Sequence, residues 1–221
     1  MLVDDLSTWL DSGKRRIGQV AMLSPAETGR AGWLICHHAD AEVARAGGHG
    51  LDLHHGTSGA RAIVFFTTDG SYRPLRGSPD LRTGWMIEAA SVAELRDILD
   101  ILYPAAAGLW RAYRAGSLPV EPFRAKLARQ TGMYRFASSI SDAGAMALVG
   151  NVCNPESGCI RRILWPLAPG QEVATLPSRK FLGRGDEPAA DEIPVLCPEA
   201  CNLLVAKAKE VARREYQAAN P

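Results

Sequence analysis

The sequence predicts an α+β fold, with a β-rich first part followed by a mostly helical second part. Strand-like runs fall within residues 13–89, and helical spacing of apolar residues takes over at Ser91. Four of the five cysteines lie in the second part. The change of period places a boundary near Ala90 and predicts regions 1–89 and 90–221, as two domains or as one continuous domain.

Leu2 to Leu10 reads as a short helix. Ile17 to Leu23 and Trp33 to Ile35 read as strands joined by Ser24 to Arg30, a hairpin. Cys36 to Gly59, rich in His, Gly and Asp, reads as loop with at most one helical turn around Glu42 to Ala46. The apolar run Arg61 to Thr68 predicts a buried strand ended by Asp69-Gly70, and Thr83 to Ala89 predicts the next strand. Ser91 and Glu94 then form a capping box ahead of Val92, Leu95, Ile98, Leu99 and Leu102, a helix stopped by Pro104. Further helices are expected over Ala105 to Ala115, Glu121 to Gln130 and Ser139 to Val152, the last capped by Ser139 or Ser141. Arg162 to Leu167 reads as a strand broken at Pro166, and Ala168 to Pro194 as a long surface excursion. Pro198 to Tyr216 is the clearest helix in the chain.

The 221 residues are enough for a substantial core, and 47% hydrophobic with 22% charged residues is ordinary for a globular chain. The longest apolar runs fall well short of the roughly 18 residues a membrane span needs. A formal charge of +1 provides no field to attract nucleic acid or an anionic membrane. The opening residues MLVDDLSTWLDSG are acidic and amphipathic, unlike a secretory signal, which predicts a cytoplasmic protein. In that compartment cysteines serve as ligands or reactive thiols rather than disulfides. A Gly-rich phosphate loop, a G-x-S-x-G elbow and an HExxH motif are all absent, so nothing supports nucleotide hydrolysis, serine esterase or zincin chemistry.

Cys153 and Cys159 enclose five residues, Cys197 and Cys201 enclose three, and 37 residues separate the pairs. With Cys197 as cap and Pro198 in the first helical position, Cys201 would lie one turn on, on the same face. The stripe Cys201, Leu204, Val205, Ala208, Val211 and Ala212 would carry that face into the core. Both sulfurs would then sit at a buried helix N-terminus, whose partial positive charge suits a group built of anionic thiolates. The first pair flanks a turn, Asn154-Pro155 with Ser157-Gly158, that can aim amides at sulfur. Structural zinc takes spacers of two to four residues, which fits the second pair and not the first. A four-cysteine iron-sulfur cluster tolerates the wider spacing, whereas disulfides would need an oxidising compartment.

These spacings, ending in Cys-Pro-x-x-Cys, are similar to the cluster motif of siroheme-dependent sulfite and nitrite reductases. The resemblance implies a [4Fe-4S] cluster on all four cysteines, with Cys201 at the position that bridges to siroheme iron in those enzymes. It covers only about residues 153 to 201, and those reductases are much longer chains, so their reactions are not carried over. A broader resemblance rests on Tyr72-Arg73-Pro74-Leu75-Arg76, Leu81-Arg82-Thr83-Gly84-Trp85, Pro122-Phe123-Arg124 and Arg129-Gln130-Thr131-Gly132-Met133-Tyr134, followed by the cysteine pairs. They resemble a bacterial [4Fe-4S]-binding domain found fused to sirohydrochlorin chelatases, which implies a place in siroheme or cobalamin synthesis. With no chelatase segment recognised in this sequence, the resemblance implies a redox partner or accessory protein for a tetrapyrrole-pathway enzyme.

All five histidines, His37, His38, His49, His54 and His55, fall in one window with Cys36, Asp40 and Asp52. They lack a recognised ligand spacing, so the window reads either as a local metal site or as a His-rich flexible loop. Cys36 follows an apolar strand and reads as a buried small residue. Residues 72–135 hold ten Lys or Arg against six acidic residues. Arg73, Arg76, Arg82, Arg124, Arg129 and Arg135 can fork onto the carboxylates of a tetrapyrrole ligand, with Trp85 or Tyr134 stacking on its face. Arg161 and Arg162 can neutralise a reduced cluster; the plainer reading is that these arginines are solvated helix faces. Trp165 reads as core or as shielding for the cluster.

Together these readings predict a cytoplasmic [4Fe-4S] redox protein, linked to siroheme or cobalamin metabolism, with ligands Cys153, Cys159, Cys197 and Cys201. The alternatives are a zinc-stapled binding module without redox activity and a small cluster-dependent reductase.

Overall fold

The computed structural model describes residues 3–65, 81–154, 159–167, 176–177 and 190–220. The expected Asp69-Gly70 turn, the Tyr72–Arg76 motif with Arg73 and Arg76, and most of the tract 168–194 lie outside them. The architecture is α+β, as the sequence predicts. The chain divides into two compact units, one of Met1–Arg111 with Pro188–Val195 and one of Ala112–Glu187 with Leu196–Pro221.

In the first unit, helix α1 (Val3–Asp11) precedes a tight hairpin of β1 (Arg16–Ile17) and β2 (Val20–Leu23). Gly18, with φ of 56°, turns the chain where the sequence alone suggested one unbroken strand. A one-turn helix α2 (Pro25–Thr28) follows, closed by a capping box between Ser24 and Glu27. It leads to β3 (Trp33–His37), a 3-10 turn at His38–Asp40, α3 (Ala41–Arg45) and β4 (Asp52–His55). Helix α4 (Gly56–Phe65), β5 (Trp85–Ala89), α5 (Val92–Leu102) and α6 (Ala106–Arg114) continue the chain, and β8 (Glu192–Ile193) returns to the sheet late. The strand order is β4-β5-β3-β2-β1-β8, with β4 parallel to β5 and β8 parallel to β1.

Two expectations are overturned here. Cys36 to Gly59 is not loop: it holds the end of β3, α3 and an edge strand. The run from Arg61 is a helix, not a strand. Because β4 and β5 run parallel, the chain must cross over between them, and α4 begins that crossover. Ala60, Ile63 and Val64 supply its buried face at helical spacing.

Strand alternation places Ala21, Leu23, Leu34, Cys36 and Met86 with Ala44 of α3 in one apolar layer. Val20, Met22, Ile35 and Ile87 take the opposite parity, where α4 and α5 pack on β5. Ser91 caps α5 by accepting from the Glu94 amide, while the Glu94 carboxylate reaches back to the Ala90 N–H.

The second unit is built from α7 (Phe123–Ala128), a 3-10 segment Gly132–Ser139, α8 (Asp142–Val152) and α9 (Asn202–Ala219). A three-stranded sheet accompanies them: β6 (Arg162–Ile163) lies between antiparallel β7 (Leu176–Pro177) and parallel β9 (Leu196–Cys197). Ser141, not Ser139, caps α8, accepting from the Gly144 amide. The core gathers Phe123, Leu127, Ile140, Leu148, Val149, Ile163, Trp165, Leu204 and Val205, together with Cys153 and Cys197. Phe123 stacks on Trp165 at 4.8 Å between ring centroids, which makes Trp165 a core residue.

The last helix starts later than its sequence suggests. Cys197 does not cap it; the cysteine closes β9, and Cys201 is the N-cap, with φ of −71° and ψ of 159°. The stripe Leu204, Val205, Ala208 and Ala212 is buried, but Cys201 itself is exposed.

Candidate iron-sulfur site

Each cysteine of the second unit reaches the site from a different element end. Cys153 follows α8, its N–H donating to the Val149 carbonyl at 2.8 Å. The Cys159 N–H donates to the Asn154 carbonyl at 2.9 Å; residues 155–158 are outside those described. Cys197 sits opposite Ile163 in the β6–β9 ladder, and its carbonyl accepts the Leu164 N–H at 3.2 Å. Cys201 begins α9, its carbonyl accepting the Val205 N–H at 3.0 Å. Cys153 and Cys197 are buried, Cys159 is half-buried and Cys201 is exposed, so the set runs from core to surface.

The four thiols act on one another. Hydrogen bonding to Cys159 pushes the Cys153 thiol far up, reinforced by burial and by repulsion from Cys159, Cys197 and Cys201. The same bond from Cys153 pulls Cys159 down against its burial, helped by the Arg161 backbone and guanidinium. Burial pushes Cys197 up to about 12, with Arg161 opposing and the Cys159 and Cys201 charges adding. One arginine, Arg161, therefore attracts negative charge on two of the sulfurs.

Among the described residues no group of three or more His, Cys, Asp and Glu is arranged to hold a single metal ion. A four-iron cluster makes a different demand, one thiolate at each iron and hence four sulfurs around one space. The donor set fits it: three thiols within electrostatic reach of a fourth, Cys153, an arginine beside two of them, and a buried indole Nε1 of Trp165, in the same core as Cys153 and Cys197, with no hydrogen-bond partner among the described residues.

Of the arginines expected to form one set, two in the second unit are taken up by carboxylates. Arg124 pairs with Asp142 at 3.1 Å. Arg129 grips both carboxylate oxygens of Glu199, at 3.0 and 2.8 Å, and lies 2.9 Å from Glu121. Arg162 lies in β6, Arg135 in the 3-10 segment, and Arg82 in the first unit. Trp85 is fully buried with its indole N–H donating to the Arg82 carbonyl, so it offers no stacking face. The Lys209 ammonium lies 5.1 Å from the Tyr134 ring centroid. The spacing motifs missed Lys126, only 2% exposed and 3.4 Å from Glu199; no local signal marks it.

Four of the five histidines lie in regular elements, His37 in β3, His38 in the 3-10 turn and His54 and His55 in β4, while His49 lies in the turn between α3 and β4. His37 is buried in β3, its Nδ1 accepting the Ala39 N–H, and it stacks on His38 at 4.7 Å. Burial and Arg16 hold His38 below the ordinary histidine range. His55 lies 3.5 Å from Glu88. Cys36 is wholly buried in the first unit, its thiol pushed up to about 12 by burial and by Asp40.

Known protein families meet in this chain at nearly the same point as its two compact units. Residues 4–114 match the family model of the DR2241 stabilising domain, and residues 115–210, which contain all four cysteines, match that of a 4Fe-4S iron-sulfur cluster binding domain. None of the curated proteins matches. Among solved structures, DR2241 from Deinococcus radiodurans is a multi-domain protein with structural similarity to chelatases and two additional novel domains. It resembles this chain with a TM-score of 0.69 at 23% identity, over 96% of this chain and 41% of its own. The likeness is one of fold, and this chain spans less than half of that protein. The choice between zinc and cluster, which spacing left open, falls to a [4Fe-4S] cluster.

Proposed function

This chain belongs to the DR2241 stabilising domain family, and on that premise we propose that it is a redox protein whose Cys153, Cys159, Cys197 and Cys201 each hold one iron of the [4Fe-4S] cluster. When bound, the cluster supplies a one-electron couple. The carrying observation is that residues 115–210, which hold all four cysteines, match a 4Fe-4S cluster binding domain, while the fold brings Cys159, Cys197 and Cys201, from a loop end, a strand and a helix N-cap, within electrostatic reach of Cys153. Burial of Cys153 and Cys197 lowers the dielectric around the group, and Arg161 offsets its negative charge. Cys201 caps α9 without a side-chain cap bond, so first-turn amides and the positive end of an 18-residue helix face the same charge. Its exposure provides the edge through which an electron can leave.

The reading extends to the pathway. A cytoplasmic protein of this kind serves a tetrapyrrole-pathway enzyme of siroheme or cobalamin synthesis, as electron donor or redox sensor. Support comes from the chelatase likeness of the solved relative and from the motif resemblance to domains fused to sirohydrochlorin chelatases. Among the described residues no helix is long and apolar enough to cross a membrane. Of the arginines expected to hold a tetrapyrrole, Arg124 is engaged by Asp142 and Arg129 by Glu199 and Glu121, which favours a carrier over a small reductase with its own tetrapyrrole site.

Anaerobic purification with iron, sulfide and zinc analysis beside a visible spectrum tests the reading. About four irons and four sulfides, with colour that bleaches on dithionite, is the expected result. A colourless protein holding one zinc and no sulfide after attempted reconstitution would overturn it.

A further inference from the structure

The loop Cys197-Pro198-Glu199-Ala200-Cys201 carries a carboxylate midway between two of the proposed ligands, and that carboxylate is answered by two cations from one distant segment. Lys126, in the last turn of α7, is 2% exposed, and its Nζ lies 3.4 Å from Glu199 Oε1. Arg129, half exposed, donates to both Glu199 oxygens. Among the described residues, Glu199 is the one acidic partner of Lys126. An ammonium so deeply buried is costly unless paired. The protein therefore retains an expensive cation at the loop between two cysteines.

We propose that Lys126 and Glu199 form a positioning and charge-setting pair for the cluster: Glu199 fixes the three-residue spacer, and Lys126 neutralises it from the buried side. The proposal rests on the four-cysteine reading above. Helix α7 is well placed for the task, because Phe123 at its start donates its N–H to the Pro166 carbonyl at 2.9 Å and stacks on Trp165. Those contacts tie α7 to the segment just after β6, whose Ile163 faces Cys197. Both the strand and the loop that present Cys197 are thus held by one helix.

The electrostatic consequence follows from sign. A cluster on four thiolates becomes more negative on reduction, so a nearby cation favours the reduced form and a nearby anion disfavours it. Arg129 is partly screened by water, whereas Lys126 is not. Removing Lys126 leaves the Glu199 carboxylate answered by the half-exposed Arg129 alone, and removing that carboxylate leaves the buried cation unopposed.

The test is a spectroelectrochemical titration of the full chain, reconstituted anaerobically, for wild type, Lys126→Met, Glu199→Gln and the double variant. The midpoint potential is expected to fall in Lys126→Met, to rise in Glu199→Gln and to return towards wild type in the double variant. Shifts of the same sign in both single variants, or none in either, overturn the pair. A merely structural role would loosen the cluster in both without opposite shifts. Should Lys126→Met fail to fold, Glu199→Gln decides alone, since Glu199 is 61% exposed and its amide keeps the loop's shape: a raised potential supports the proposal, and an unchanged or lowered one overturns it. Wild-type protein that takes up no cluster refutes the four-cysteine reading before any variant is compared, whereas a normal cluster with potentials indifferent to both substitutions refutes only the pair.

Discussion

Glu215 near the end of α9 accepts the backbone N–H of Ser141 at 2.8 Å and its hydroxyl as well, so the last helix clamps the cap of α8. The two helices therefore run antiparallel, with the start of one at the end of the other. That arrangement decides where the cysteines fall. Cys153 follows the C-terminus of α8 and Cys201 begins α9, so the clamp at one end of the pair sets the two sulfurs at the other end.

Gly144 tests this clamp. A Cβ there would lie 2.2 Å from Glu215 Oε1 and 3.0 Å from Val211 Cγ1, although Ala would otherwise gain about 1 kcal/mol of helix propensity. Gly144→Ala is expected to destabilise the metal-free chain by roughly 1 kcal/mol, because the carboxylate must leave Ser141. In a Glu215→Ala background, itself costing about 1–2 kcal/mol, the same substitution becomes neutral or stabilising. Urea midpoints of the four proteins decide; equal effects of Gly144→Ala in both backgrounds would show that Glu215 does not press on this position.

How far the sequence revealed this structure depends on how local each signal was. The Ser91 and Glu94 cap of α5 was legible because its partners lie within four residues of each other. Strand β4 was not: Asp52, Leu53 and His55 are exposed on an edge strand, where no apolar alternation is required. With β4 missed, the run from Arg61 looked like the strand, and its helical nature follows only from the parallel crossover that β4 requires. The cysteine spacings marked the site, but the start of α9 was misplaced because Pro198 suits a first helical turn as well as a loop. What decides is the pairing of Cys197 with Ile163. Lys126 carried no signal at all, since its partner lies 73 residues away.

Serine at any one of Cys153, Cys159, Cys197 or Cys201 is expected to remove most of the bound iron, because in the proposed assignment each holds its own iron and an alcohol is a poor replacement for thiolate. Cys36→Ala serves as the control. It alters only the apolar layer of the first unit and should leave iron content and spectrum unchanged. Retention of full iron in two or more of the four serine variants would contradict the ligand assignment.

Glu27 predicts an acid-side loss of stability in the first unit. Burial opposes its ionisation, yet the Ser24 amide and hydroxyl, each at 2.8 Å, with Arg15 and Arg45, each at 3.6 Å, hold its carboxyl below the usual value of 4.5. A carboxyl depressed on folding stabilises above its unfolded pKa, and the gain disappears as pH falls through the folded one. Glu27→Gln should therefore cost about 1 kcal/mol at neutral pH, and progressively less as the pH is lowered below 4.5. A difference between the two proteins that stays constant from neutral pH into this acid range would show that the charge contributes nothing.

Thiol alkylation of the metal-free chain should follow accessibility and thiolate character together. Cys201 is exposed, and Cys159 is half-buried with its thiolate favoured by Cys153 and Arg161, so these two should react with iodoacetamide first. Cys153 and Cys197 are buried with raised thiols and should follow only as the second unit opens. Cys36 is fully enclosed and its thiol is pushed up to about 12, so it should label last, at the rate at which the first unit unfolds. Loading iron and sulfide should then protect the four cysteines of the second unit and leave the slow labelling of Cys36 untouched. Mass spectrometry over a time course reads both orders directly. Early labelling of Cys36, or protection of fewer than four cysteines on cluster assembly, would break the link between burial, charge and ligation.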